Sequence, residues 1–345
     1  FFYYAYLKNQ IDYHFVAFQN ADFFNIDWNK IGRLRHYGLQ GFISHPLSRF
    51  QRIDYGLSWH NINYSILKLD EFNQERYETK FSSNYSTILP NISWVYDNTV
   101  FGFTGPIDGF RQNTSITLNP GYGSSNLKFQ TLKTDARKYW RFGKDYTLAV
   151  RGFFGTSLGE NKQKFFLGGI PFLVGGGGET NGKVDNSHFR DVILDTSNAT
   201  LVHDIYFTEY ASPLRGARFA ERFGTNATLI NMEIRFPFIN YLALGFPLKM
   251  IFGNIRGHAF MDVGAAWDEA EEFTNTSWPG RYWVEDQNKN LIPPTLLDFS
   301  PWVTTVGLGT KINLGYFLLR IETAWDKNPN GYSKPQWYFS LGPDW

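Results

Sequence analysis

The sequence predicts an all-β fold, an antiparallel transmembrane β-barrel, and three observations carry the prediction. The 345 residues are 19% aromatic, yet the mean hydropathy is only −0.34. A barrel wall that is apolar and aromatic outside and polar inside averages to such a value. No stretch reaches the roughly eighteen consecutive apolar residues of a spanning helix, which excludes an α-helical membrane protein. Finally, apolar and polar side chains alternate in segments of about ten residues, near the length that crosses a bilayer as a tilted strand.

The elements follow in chain order. Residues 1–7 form the first strand candidate, followed by a short turn at 8–10. A second short turn falls at 45–51, and residues 68–81 read as a long loop. The stretch 101–109, with Gly102, Gly105, Pro106 and Gly109, reads as a slightly larger turn. After the short turn at 141–145, Tyr146, Leu148, Val150 and Phe154 oppose Thr147, Ala149, Arg151 and Phe153. A long insertion covers 159–224.

Thr228, Ile230, Met232, Ile234 and Phe236 then share one face, against Ala227, Leu229, Asn231, Glu233 and Arg235. In the next strand Ala259, Met261, Val263, Ala265 and Trp267 oppose His258, Phe260, Asp262, Gly264 and Ala266. A long loop is expected over 268–300 and a short turn at 313–316. Phe317, Leu319, Ile321, Thr323 and Trp325 oppose Leu318, Arg320, Glu322, Ala324 and Asp326, and residues 334–345 form the last strand candidate. A soluble sandwich also alternates. Against it stand charged faces such as Glu233 with Arg235 and Arg320 with Glu322, which suit a wet lumen, and greasy faces that often end in Trp or Tyr, as interface girdles do.

Short turns on one side and long loops on the other fit an outer-membrane barrel, and the count is about thirteen strands. Bacterial single-chain barrels have even strand numbers, so an odd count suggests further strands upstream. The chain also starts at Phe1 without Met or a signal peptide. The expectation is one barrel domain over 1–345, incomplete at its N-terminal side.

Other chemistry is weakly encoded. With Cys 0 there are no disulfides, thiolate metal sites or cysteine nucleophiles. The net charge of +1 comes from 33 basic and 32 acidic residues without a basic block, so nucleic acid is not an expected partner. Gly177-Gly178-Glu179-Thr180-Asn181-Gly182-Lys183-Val184 nearly spells a P-loop, but Val184 stands where the metal-binding hydroxyl belongs. The seven histidines never fall at metal-ligand spacing in the chain. Asp185, Ser187 and His188 have the residue types of a hydrolase triad, but sequence neighbours seldom form one. The run Asp268-Glu269-Ala270-Glu271-Glu272 reads as a solvated loop more readily than as a cation site. No enzyme activity, metal or cofactor is expected.

Five motifs are more specific. Ala259-Phe260-Met261-Asp262-Val263-Gly264 resembles the F-x-D-x-G strand of the BamA-like outer-membrane assembly superfamily. Leu214-Arg215-Gly216 resembles its V-R-G-F/Y loop motif, and Asn231-Met232-Glu233-Ile234-Arg235-Phe236-Pro237 its N-x-E-x-R-F-P strand. Phe165-Phe166-Leu167-Gly168-Gly169 is similar to the F-F-L-G-G that opens the long sixth extracellular loop. The end of the chain, with Trp337, Phe339, Leu341, Gly342 and Trp345, resembles the terminal strand that serves as a barrel-insertion signal.

The resemblance implies a barrel of about sixteen strands in the intact protein, with an extracellular loop folded back into the lumen. It also implies that Arg215 bonds Asp262 and Glu233, both on inward faces. A guanidinium lowered into a lumen needs carboxylate partners, and its planar fork suits two-pronged pairing.

The chain departs from the family pattern in two ways. Ala217 replaces the aromatic after R-G, with Phe219 two positions on, and residues 170–213 separate two motifs that normally lie close together. With Val95-Tyr96-Asp97-Asn98-Thr99 and Thr104-Gly105-Pro106-Ile107-Asp108-Gly109, this insertion resembles a subgroup carrying a TolB-type propeller ahead of the barrel. The functions implied are insertion or translocation of protein or lipid at the bacterial outer membrane. Alternatives are an anchor for a periplasmic propeller or larger complex and, third, a porin. The partners implied are outer-membrane lipid including lipopolysaccharide, client polypeptides, and periplasmic or outer-membrane complex subunits.

Overall fold

Inside a bilayer a strand must satisfy its backbone polar groups on its neighbours, and that requirement organises the chain. The structure, a computed structural model, describes residues 1–7, 10–27, 30–69, 77–123, 127–143, 145–169, 209–211, 213–217, 221–244, 250–270, 284–285, 291–292, 301–314, 317–328, 331–333 and 335–342. The strands in chain order are β1 (Phe2–Tyr6), β2 (Asp12–Asp27), β3 (Lys30–Pro46), β4 (Gln51–Leu69), β5 (Tyr77–Asp97), β6 (Val100–Gly102) and β7 (Gly105–Pro120). They continue as β8 (Lys128–Phe142), β9 (Tyr146–Gly159), β10 (Phe165–Leu167), β11 (Glu209–Ala211), β12 (Arg222–Gly224), β13 (Asn226–Leu244) and β14 (Met250–Trp267). The last are β15 (Val284–Glu285), β16 (Leu291–Ile292), β17 (Trp302–Asn313), β18 (Leu318–Asn328), β19 (Gly331–Tyr332) and β20 (Gln336–Gly342).

Thirteen of these form the wall, in the order β1-β2-β3-β4-β5-β7-β8-β9-β13-β14-β17-β18-β20. Each is antiparallel to the next, as the hairpin connections require. The count agrees with the strand pattern of the sequence. The wall is apolar outside: Ile230, Ile234 and Phe154 are exposed, whereas Leu229, Asn231, Glu233, Arg235 and Phe153 are buried. A soluble domain would bury the first set, so the outward face is made for lipid.

Several expectations are corrected. The central strands run longer than ten residues, with 19 in β4, 21 in β5 and 19 in β13. At the usual rise, nineteen residues span about 60 Å, so these strands project well past a tilted crossing. Both ends of the loop expected over 68–81 are strand, since β4 reaches Leu69 and β5 starts at Tyr77, and residues 70–76 lie outside the described residues. Within the last strand candidate, 334–345, the described strand is Gln336–Gly342. Residues 343–345, including Trp345, lie outside the described residues.

The register places the β3–β4, β8–β9 and β17–β18 connections at the same end as Gly342. Gln51 pairs with Tyr96, Gly109 with Tyr139, Phe142 with Tyr146, and Leu318 with both Asn313 and Gly342. These short turns mark the periplasmic end. From the opposite end, β10, β11 and β12 form a separate three-stranded sheet inside the barrel.

Candidate functional site

The site forms where that inner sheet meets the inward faces of β13, β14, β17, β18 and β20. Period-two alternation puts Phe260, Asp262 and Gly264 of β14 on one face. Across the ladders Asn231 opposes Asp262 and Glu233 opposes Phe260. Thr305 opposes Asp262 on the other side, and Tyr338 opposes Glu322. The loop reaches them because the Leu214 amide donates to the Gly168 carbonyl at 2.9 Å, pinning the Arg215 turn to the F-F-L-G-G segment.

Arg215 is the hub. Its Nε donates to Asp262 Oδ2 and its Nη2 to Asp262 Oδ1, both at 2.9 Å, and its backbone amide adds a third bond to Oδ2 at 3.1 Å. Nη1 donates to Glu322 Oε1 at 2.9 Å and to Glu233 Oε2 at 3.3 Å. The face of the guanidinium lies 3.5 Å from the Phe260 ring centroid, a cation–π contact. Arg215 is 4% exposed, and Asp262 and Glu233 are 0% exposed.

A second layer balances the charge. Glu233 Oε1 accepts from Lys311 Nζ at 2.6 Å and from Arg235 Nε at 2.8 Å. Glu322 Oε1 accepts from His258 Nε2 at 2.8 Å, so the proton on that ring nitrogen is assigned by its partner. Three cations (Arg215, Arg235, Lys311) thus face three carboxylates, and buried ions hold together only when paired in this way. Burial works against the Arg215 charge, but the carboxylates, Asp262 foremost, hold its guanidinium protonated well above its ordinary range.

Two glycines make the geometry fit. Gly216 has φ of +92°, and its amide donates to Tyr338 Oη at 2.8 Å. A Cβ there would be strained and would stand 3.0 Å from Ala324 Cβ. A Cβ on Gly264 would stand 2.8 Å from both Leu167 Cδ1 and Leu214 Cδ1. The F-x-D-x-G strand therefore stacks on the arginine, bonds it, and leaves room for the loop's leucines. Phe165, Leu167, Ala211, Leu214 and Ala217 pack with Phe153, Leu229 and Val303 into one buried cluster. Ala217, where the family carries an aromatic, is part of that cluster.

Phe165, Phe166, Gly168 and Gly169 are all buried. Trp337, Phe339 and Leu341 point outward from β20, with Gly342 at its end. Lys311, His258 and Tyr338 join the site without having been singled out, and Glu322, expected on a lumen face, was not expected to meet Arg215. Strand alternation puts Glu322 and His258 on inward faces, but it does not say which strands meet.

The P-loop-like stretch, Asp185, Ser187, His188, Phe219, Glu271 and Glu272 lie outside the described residues. Asp268 accepts from the Thr225 amide at 2.8 Å. Among the described residues no group of three or more His, Asp or Glu side chains could hold a metal.

An antiparallel wall with a loop drawn inward and locked by a buried arginine defines a class of outer-membrane β-barrel. The family model described as Omp85 superfamily domain matches residues 5–345, and the chain belongs to that family. Among solved structures the chain is similar to BamA from Haemophilus ducreyi lacking POTRA domains 1–3, at 13% identity and a TM-score of 0.59. That match covers 99% of this chain and 60% of that one. CdiB from Acinetobacter baumannii matches at 12% identity and a TM-score of 0.48, covering 98% of this chain and 48% of that one. This chain thus spans less than two thirds of the BamA chain and about half of the CdiB chain. No curated protein matches it.

Proposed function

We infer that this barrel inserts or translocates polypeptide, or lipid, at the outer membrane through a weak seam beside its last strand. The observation that carries the reading is β20. Its described residues are Gln336–Gly342, and it stands at the end of the strand order. Among the described residues β18 is its one strand partner. Such an edge offers N–H and C=O groups to an incoming strand, the chemistry of β-augmentation. Trp337, Phe339 and Leu341 face outward, where a client strand would enter lipid beside them.

The partners this reading requires are client polypeptides, outer-membrane lipid including lipopolysaccharide around the wall, and complex subunits that deliver clients. It treats the barrel as a scaffold for transfer and not as an enzyme, consistent with lumen charges that are engaged with one another. The filled lumen favours, as a second reading, an anchor for a periplasmic or membrane complex. It counts against a porin.

The test places single cysteines along β20 of the full-length protein in lipid vesicles. An unfolded barrel client carries one cysteine in its own terminal strand. Disulfides that form in an alternating, register-dependent ladder support the seam. Uniformly absent cross-links, with client insertion no faster than in empty vesicles, overturn it and favour the anchor.

A further inference from the structure

The stretch Val95–Thr99 with Thr104–Gly109 stands apart from the arginine lock, and its side chains build a specific object. Asp97 Oδ1 accepts from the Thr99 amide at 3.1 Å and from its hydroxyl at 2.6 Å. Asn98 exchanges bonds with the Phe110 backbone, its amide donating at 3.0 Å and its Oδ1 accepting at 2.7 Å. Gly109 has φ of +102°, and a Cβ there would stand 2.5 Å from the Asn98 carbonyl oxygen. These contacts set the base of a hairpin made by β6 and the start of β7, whose tip is Gly102–Gly105.

The tip bonds to the far wall. Arg235 of β13 donates from Nη1 to the Pro106 carbonyl at 2.8 Å. Asn313, at the end of β17, donates from Nδ2 to the Phe103 carbonyl. In the wall β17 is five strands from β7, by way of β8, β9, β13 and β14. At the usual strand spacing that is roughly 24 Å along the wall, so the bond must cross the mouth instead of following the wall. Pro106 is buried, while Phe101 and Phe103 face away, exposed.

We propose that the β6–β7 hairpin is a periplasmic hatch, a second barrier across the lumen below the arginine-locked loop. Arg235 joins the two barriers, since its Nε is on Glu233 and its Nη1 on Pro106. The inference concerns the lumen and stands whether the barrel inserts clients or anchors a complex. Two barriers in series have a clear signature: opening either one leaves the other to limit ion flow.

The experiment compares planar-bilayer conductance of the full-length protein, Asp262→Ala, a variant with residues 101–106 replaced by Asn-Gly, and the two changes combined. Asn-Gly closes a two-residue hairpin without the overhang. Each single variant should conduct close to wild type, and the combination several-fold above both. A combined variant no more conductive than Asp262→Ala alone overturns the hatch, as does Asp262→Ala conducting like the combination.

A gentler measurement covers failure of the trimmed barrel to fold. The chain has no cysteine, so Thr147→Cys supplies a single buried, inward thiol near the periplasmic end. A charged, membrane-impermeant maleimide added from the periplasmic side should label it slowly, and several-fold faster when Asn313→Ala is added. Equal rates overturn the inference.

Discussion

Arg215 meets Asp262 edge to edge, with two side-chain bonds of 2.9 Å, and the Arg215 backbone amide takes the same carboxylate at 3.1 Å. One aspartate thus fixes both the direction of the guanidinium and the path of the loop behind it. Asp262→Ala removes all three bonds and leaves a buried cation short of its main counter-ion. Breaking a buried pair from one side costs about 3–5 kcal/mol. The variant is expected to show a lower unfolding midpoint in detergent and faster proteolysis of the loop between β9 and β13. Wild-type proteolysis would show that the loop is held by its apolar packing alone.

Glu322 holds the same arginine by one bond from Nη1, and it also accepts from His258. Both donors share Oε1, so Glu322→Gln keeps that acceptor and removes only the negative charge behind it, while Asp262 continues to hold the fork. The cost is expected to be about 1–3 kcal/mol, below that of Asp262→Ala. Urea unfolding of the two variants side by side checks the ranking; equal losses would mean that net charge in the lumen outweighs bond geometry.

The wall was legible because a period of two is a local property. Leu229, Asn231, Glu233 and Arg235, with Phe260, Asp262 and Gly264, take the inward side that alternation alone assigns. Pairing between distant strands is not local. Tyr338 meets Gly216 across 122 positions, and Arg215 meets Glu322 across 107. Both depend on the β18–β20 register and on loop placement, which no pattern within one strand encodes. His36 and His60 show the same limit: they are 24 residues apart yet meet at 2.8 Å across β3 and β4. Strand length was obscured for the same reason, since the ladder that carries β4 to Leu69 and β5 back to Tyr77 is made between strands and not within either one.

Gly264 is expected to be intolerant of even one methyl group. In Gly264→Ala the added Cβ would press on Leu167 and Leu214 at 2.8 Å, and overpacking of this kind costs about 1–3 kcal/mol. Since Leu214 precedes Arg215, the strain should loosen the lock without touching a charge. Adding Leu214→Ala relieves part of the clash, so the double variant should lose less than the sum of the singles. Additive losses in urea unfolding would place the damage in the strand and not at the loop contact.

Tyr338 ties the terminal strand to the loop by one hydroxyl, which accepts from the Gly216 amide and donates to Gln336 Oε1, both at 2.8 Å. Tyr338→Phe keeps the ring and leaves the Gly216 amide buried without that acceptor, a cost of about 1–3 kcal/mol. Exchange of the Gly216 amide should quicken in hydrogen–deuterium measurements, together with amides of β20 opposite Glu322, while β13 amides hold their wild-type rates. The selectivity matters more than the size of the change. A uniform rise along β13, β14 and β20 would mean that the wall had loosened as a whole. A rise confined to Gly216 would mean that the hydroxyl steadies the loop and does nothing for the strand that carries it.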